Sequence, residues 1–175
     1  MRVEVADHNT NWAQLFQDEA ERLERIFGEE VVRIHHIGST SVPGLRAKPI
    51  LDMLPVVQDI QKVDLLNEQM QILGYEALGE FGTPGRRYFR KGGDARTHQV
   101  QVYQEDDRWN IDRHLAVRDF LRSHPSDAAR YGDLKSRLAE KFQDDLASYV
   151  DGKSLFVKDL ESRSLSWYED AERFK

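Results

Sequence analysis

One carboxylate near the head of an apolar run constrains this chain most. Residues 50–57, Ile50-Leu51-Asp52-Met53-Leu54-Pro55-Val56-Val57, read as a buried β-strand interrupted once, at Asp52. A carboxylate there is costly unless a cation or a hydrogen-bond donor meets it. The preceding stretch, His36-Ile37-Gly38-Ser39-Thr40-Ser41-Val42-Pro43-Gly44-Leu45, reads as a turn and loop. Gly38 and Gly44 permit a tight turn whose backbone N–H groups converge on an anion, and Ser39, Thr40 and Ser41 add hydroxyl donors. Ala47-Lys48-Pro49 then sets a cation beside a proline that favours an extended preceding residue. Together these point to a phosphate site beside a metal-binding carboxylate. No Gly-Lys-Ser/Thr completes a Walker loop, and the Gly-x-Gly-x-x-Gly dinucleotide fingerprint is absent.

Length and charge narrow the classes further. The 175 residues suit a single domain, 1–175, able to bury a real core. Basic residues number 25 against 31 acidic ones, a net charge of −6, which argues against extended nucleic-acid binding and leaves small nucleotides open through local positive charge. With no cysteine there is no disulfide, thiolate zinc site or Cys nucleophile. No leader-like segment or membrane-length apolar run is visible, so a cytoplasmic protein that does not enter the membrane is the simplest reading.

The periodicity predicts a helix from Trp12 to Phe27, with Asn11 at its N-cap and Gly28 as its stop. Strands are expected at Val31–Ile37 and Ile50–Val57, and a helix over Lys62–Leu73 ending at Gly74. Arg86–Lys91 and His98–Tyr103 read as an antiparallel hairpin in a mixed sheet. After Asn110 the pattern is helical: Leu115–Arg122, then a stripe of Leu134, Leu138, Phe142 and Leu146, then Leu155–Trp167, with Pro125 in a helix first turn. The fold class is therefore α/β (α+β), a mixed sheet flanked by helices with a helical C-terminal part.

The Gly-Ser turn followed by Asp52 on a strand resembles the nucleotidyltransferase signature, and the longer strings HIGSTSVPGL and AKPILDMLPVV are similar to the GrpB family, related in fold to nucleotidyltransferases. The Trp12–Phe27 helix, GEFGTPGRRYFRK at 79–91, RDFLRSHP at 118–125, and Tyr149, Lys153 and Trp167 extend the resemblance over nearly the whole chain. It implies a nucleotidyltransferase-like fold in which Gly38, Ser39 and Thr40 hold nucleotide phosphates. Asp52 would be the catalytic carboxylate and hold Mg²⁺, and the acceptor is unspecified. It also makes Tyr149 and Lys153 site candidates; they share a helix face if the helix runs unbroken past Asp151-Gly152.

Departures from the pattern bear on the chemistry. Leu54 stands where the superfamily has its second carboxylate. Gln99 and Gln101 align with a family His-x-His pair, and an amide is a poorer divalent-metal ligand than imidazole or carboxylate. Two-metal transfer, which needs carboxylates to clamp both ions, is thereby put in doubt. Glu80 is a carboxylate that folding could bring to the site.

His36 matches the family string and His98 opens the last strand; both are candidate orienting groups, although alternation puts His98 on the face opposite Gln99 and Gln101. Lys48 can serve phosphate or pair with Asp52. Arg86 and Arg90 share one strand face, Arg87 and Phe89 the other, and Arg87 is the phosphate candidate. Three readings follow: nucleotidyl transfer from a nucleoside triphosphate, a non-catalytic nucleotide- or phosphometabolite-binding module, and hydrolysis of a phosphate ester at one metal helped by His36 or His98.

Overall fold

Apolar residues three and four apart on α1, Trp12–Phe27, make a single buried face of Trp12, Phe16, Ala20, Leu23 and Phe27. The helix stops at Gly28, whose positive φ of 58° lets its N–H reach back to the Glu24 carbonyl. The computed structural model describes residues 2–173, and these form two compact units. One, the sheet unit, comprises Thr10–Gly38 and Ile50–Ile111; the other, the helical unit, comprises residues 2–9, Ser39–Pro49 and residues 112–173.

In the sheet unit five strands, β1 Val31–Ile37, β2 Leu51–Val57, β3 Tyr75–Ala77, β4 Arg87–Lys91 and β5 His98–Gln104, lie in the order β1-β2-β5-β4-β3. Only the β2–β5 pairing is parallel, so the sheet is mixed. The β2–β5 register omits Leu54 and Pro55, where proline brings no N–H to the ladder. Met53 and Val57 of β2, Phe89 of β4, and Val100 and Val102 of β5 pack with α1 into one core. Alternation sends Asp52, Tyr88, Arg90, Gln99, Gln101 and Tyr103 to the opposite face.

The expected helix over Lys62–Leu73 is instead α2 Ile60–Val63, a 3₁₀ turn at Asp64–Leu66, and α3 Asn67–Ile72. Asp64 and Asn67 compete for backbone hydrogen bonds and hold helix poorly. The short strand β3 follows.

In the helical unit, α5 Pro125–Lys141 and α6 Leu146–Arg173 follow α4 Arg108–Ser123, whose first turn belongs to the sheet unit. Pro125 lies in the first turn of α5. The stripe expected to run from Leu134 to Leu146 is broken after Lys141, because Asp145 accepts from the Ser148 N–H at 3.1 Å and from its hydroxyl, starting a new helix. Gly152 lets α6 approach α5 closely: a Cβ there would sit 2.7 Å from Leu138 Cδ2. Val42, Leu45, Phe120, Leu121, Tyr131 and Leu160 form this unit's core. They anchor the loop after Ser39, and the Ser41 carbonyl accepts from Arg122 Nε at 2.9 Å. Among the described residues no helix is long and apolar enough to cross a membrane.

Candidate functional site

At the end of β1 the chain turns at Gly38 with φ +71°, against the side chain of Asp52 on β2. A Cβ at Gly38 would lie 2.5 Å from Asp52 Oδ2, so only glycine brings the turn's backbone this close to the carboxylate. Gln99 pairs with Asp52 across the β2–β5 register, and Arg90 and Tyr88 of β4 pair with Gln99 and Gln101. Gln101 Oε1 accepts from Arg86 Nη1 at 3.1 Å and from the Tyr103 hydroxyl at 3.2 Å. The Arg86 guanidinium also donates to the carbonyls of Glu80, at 3.2 Å, and Phe81, at 2.8 Å, and lies 4.9 Å from the centre of the Tyr88 ring.

Burial pushes the Tyr88 hydroxyl's pKa above its ordinary value; Arg96 opposes this, Asp52 adds to it, and Arg90 and Arg86 oppose it. Asp52 and three guanidinium groups thus act on one hydroxyl. Arg90 is paired with Glu76 at 3.0 Å, while Arg96 Nε is buried with no hydrogen-bond partner among the described residues.

These donors do not suit a metal caged by protein alone. Among the described residues no group of three or more His, Cys, Asp or Glu is placed to hold an ion, and the Gln101 oxygen already takes two hydrogen bonds. Glu80 does not join Asp52, because its carboxylate accepts from the Gly85 N–H within its own loop. One carboxylate such as Asp52 would be enough for a Mg²⁺ that arrives on phosphate oxygens, since Mg²⁺ keeps waters and needs only one or two carboxylates beside the phosphates.

Three sequence candidates lie on the α1 face instead. His36 is buried and stacks on Phe16 at 4.7 Å. Arg87 shares the parity of Phe89, and its guanidinium grips Asp64 at 2.7 and 3.3 Å. His98 Nε2 is 3.5 Å from Glu19, and its Nδ1 lies 2.7 Å from Thr97 Oγ1. Neither histidine shares a face with Asp52, which removes the imidazole help that single-metal hydrolysis needed, and Arg86 and Arg90, not Arg87, are on the Asp52 face.

Glu19 centres a buried network on that face that the sequence pattern did not reveal: Tyr75 Oη donates to it at 2.7 Å, and Lys91 and His98 flank it. Burial works to raise the Glu19 pKa, but hydrogen bonds from Lys91 and Tyr75 and the His98 charge outweigh it, leaving it below its ordinary 4.5. Burial lowers His98 below its ordinary 6.5, outweighing the pull of Glu19. In both cases the unfolded chain binds protons more readily. Stability is greatest above pH 6.5, starts to fall below it as the unfolded chain's histidine takes up a proton that folded His98 still resists, and falls further as acid passes 4.5 towards the folded Glu19 value. Urea melts from pH 7.5 to pH 4 are expected to show this two-stage loss, at most about 1.4 kcal/mol per pH unit for each group, and His98→Asn is expected to flatten the first stage. A stability that is level from pH 7.5 to pH 5 would contradict the account.

The helical unit gathers cations of its own. Lys135 is 2% exposed; its Nζ donates to Ser39 Oγ at 2.8 Å and lies 4.5 Å over the Tyr131 ring. Tyr149 is fully buried, with Lys48 and Lys153 ammonium groups 5.3 and 5.1 Å from its ring centre, so α6 does run unbroken past Gly152. The Tyr149 hydroxyl has no hydrogen-bond partner among the described residues; burial raises its pKa and Tyr131 raises it further. Thr40 is buried in the 3₁₀ turn Ser39–Ser41. Lys48 and Lys153 over Tyr149, and Lys135 over Tyr131, concentrate positive charge of the kind that attracts an anion. Lys135 was missed by sequence reasoning. Its signal was a lysine in the buried stripe Ala128, Tyr131, Lys135, Ala139.

Comparison with known proteins places this architecture. The sequence profile of the GrpB protein family matches residues 2–163. The chain belongs to the GrpB family. It is similar to the crystal structure of conserved protein GrpB from Enterococcus faecalis, with TM-score 0.92 and 45% identity over 94% of this chain and 99% of that one. The UPF0157 protein YqkA of Bacillus subtilis is 46% identical over 166 residues, 95% of this chain but 48% of that protein, so the GrpB chain spans about half of that relative. The Cid1 poly(U) polymerase, in a mutant form bound to MgATP, resembles it at TM-score 0.52 and 15% identity over 85% of this chain and 50% of that one. The GrpB fold is thus nucleotidyltransferase-like at a distance.

Proposed function

We propose that this GrpB protein binds a nucleotide by its phosphates at the Gly38–Ser39 turn, with Asp52 taking the Mg²⁺ that accompanies them. The observation that carries the reading is the glycine turn laid against Asp52, with no room for a Cβ between them. A backbone stripped of side chain presents N–H groups to an anion, and the neighbouring carboxylate supplies one metal ligand. Arg86 and Arg96, in the sheet unit with Asp52, support an anionic ligand. The distant likeness to a polymerase that binds MgATP supports a nucleotide over other phosphates.

A second reading, nucleotidyl transfer to an acceptor, is favoured by one feature: Arg86 is fixed by Gln101 and two carbonyls, so a permanent cation stands on the Asp52 face. Developing charge on a leaving pyrophosphate would be met by that guanidinium, and bound Mg²⁺ would neutralise phosphate charge beside Asp52.

Calorimetric titration with each ribonucleoside triphosphate, with and without Mg²⁺, tests the binding reading. Binding should strengthen with Mg²⁺ in the wild type, and Asp52→Asn should abolish that gain and weaken binding by at least about tenfold. Arg86→Ala should weaken it by about three- to tenfold. Affinity indifferent to both substitutions would overturn the proposal. Pyrophosphate release that requires Asp52 and Arg86 would establish transfer; its absence with every triphosphate bound would leave the binding module.

A further inference from the structure

The loop Gly79–Arg86 holds one aromatic side chain in a conformation that aromatic residues avoid. Phe81 has φ +47°, alone among the described non-glycine residues in being positive, between Gly79 and Gly82, which are positive as well. A glycine would serve this turn without strain, so the sequence keeps a ring where the backbone disfavours one. Nor is the ring there to fill a core, because Phe81 is 56% exposed. It stacks on Tyr88 at 5.3 Å with the planes 12° apart, and the Arg90 guanidinium lies 5.8 Å from its centre. More than half of its surface is open to solvent.

The loop beneath it is built to stay in place. Arg86 donates to the carbonyls of Glu80 and Phe81, the Glu80 carboxylate takes the Gly85 N–H, and Thr83 N–H reaches the Glu80 carbonyl at 3.2 Å. Tyr88, on which Phe81 rests, pairs with Gln101 on the strand that carries Asp52's register partner Gln99. An exposed aromatic ring, held by its loop, therefore rests on the sheet face that also carries Asp52. Bases stack on such rings whatever their sequence, because each presents a π-face, and the adjacent guanidinium groups favour an anionic ligand.

We infer that Phe81 is the platform on which the planar ring of the ligand stacks, making this face of the sheet prefer a nucleotide to a bare polyphosphate. The inference rests on the nucleotide-binding reading above, and it assigns the base to a residue that reading leaves unused.

Titration of MgATP and of inorganic tripolyphosphate with Mg²⁺ into the full chain separates the two. In Phe81→Ala and Phe81→Gly, affinity for MgATP should fall by about five- to a hundredfold while that for tripolyphosphate stays within about twofold. The glycine variant, at ease at this φ, should melt no lower than the alanine variant, so its loss of affinity is not a loss of fold. Phe81→Trp should keep the affinity, and its indole fluorescence should be quenched as MgATP binds.

If MgATP binds wild type and both truncated variants equally, the platform is wrong and the nucleotide-binding reading survives. Equal losses for MgATP and tripolyphosphate would also overturn it, since the ring would then only scaffold the loop. If wild type binds tripolyphosphate but no nucleotide more tightly, both the platform and the nucleotide reading fall.

Discussion

Glu19→Ala is expected to destabilise the sheet unit by about 3–5 kcal/mol, the largest effect of any single substitution considered for this protein. Glu19 is 1% exposed, and its carboxylate is the shared partner of the Tyr75 hydroxyl, the Lys91 ammonium and the His98 ring. Removing it leaves a buried hydroxyl without its acceptor and a largely buried ammonium without its counter-charge, each costlier than the bonds were worth. Glu19→Gln keeps an acceptor for Tyr75 and loses only the charge, so it should cost about half as much. Chemical denaturation at pH 7.5 reads both. The network joins α1 to β3, β4 and β5, so the losses should appear as one cooperative transition shifted to lower urea. A Glu19→Ala loss below about 1 kcal/mol would mean that water reaches these groups and the network is not closed.

Gly38→Ala is expected to cost about 2–4 kcal/mol and to abolish measurable nucleotide binding. Part of the loss is conformational, because alanine is strained at φ +71°. The rest is steric: the new methyl would meet Asp52 Oδ2 at 2.5 Å and Asp52 Cβ at 3.0 Å. The steric part can be isolated with a double-mutant cycle. In an Asp52→Ala background the carboxyl oxygen is gone and only the Cβ contact remains, so Gly38→Ala should cost about 1 kcal/mol less there. Strict additivity would show that the turn and the carboxylate do not touch. The affinity loss tests a separate link, that the turn must sit against Asp52 for phosphate to be held.

The sequence made much of this legible because two periodicities dominate it. Alternation set Gln99 and Gln101 against His98 and sorted Arg86 and Arg90 from Arg87 and Phe89, and the register adds that Gln99 and Arg90 lie in line with Asp52. It could not say which arginine is engaged elsewhere; that depended on Asp64, distant in sequence and carried by a 3₁₀ turn where a continuous helix was expected. Strand β3 has three residues, too few for alternation to declare itself. Glu19 fell on the buried stripe of α1 as an apparent exception, and its partners come from β3, β4 and β5, so pairing them required the tertiary fold. Lys135 was hidden in the same way, as a lysine inside the apolar stripe of α5. Phe81 lay in a glycine-rich block already marked as distinctive, but its backbone conformation and open ring are properties of the folded loop.

A nucleotide whose phosphates sit at the Gly38–Ser39 turn beside Asp52 would perturb the backbone amides that hold it. The most direct measurement is a titration of isotope-labelled protein with a non-hydrolysable ATP analogue and Mg²⁺, followed by the backbone amide resonances. Saturable shifts are expected, largest at Gly38 and Ser39, accompanied by Asp52, Phe81 and Tyr88, and lost in Asp52→Asn. Saturable shifts confined to other surfaces, or no saturable shift at Gly38 and Ser39 at millimolar analogue, would contradict it.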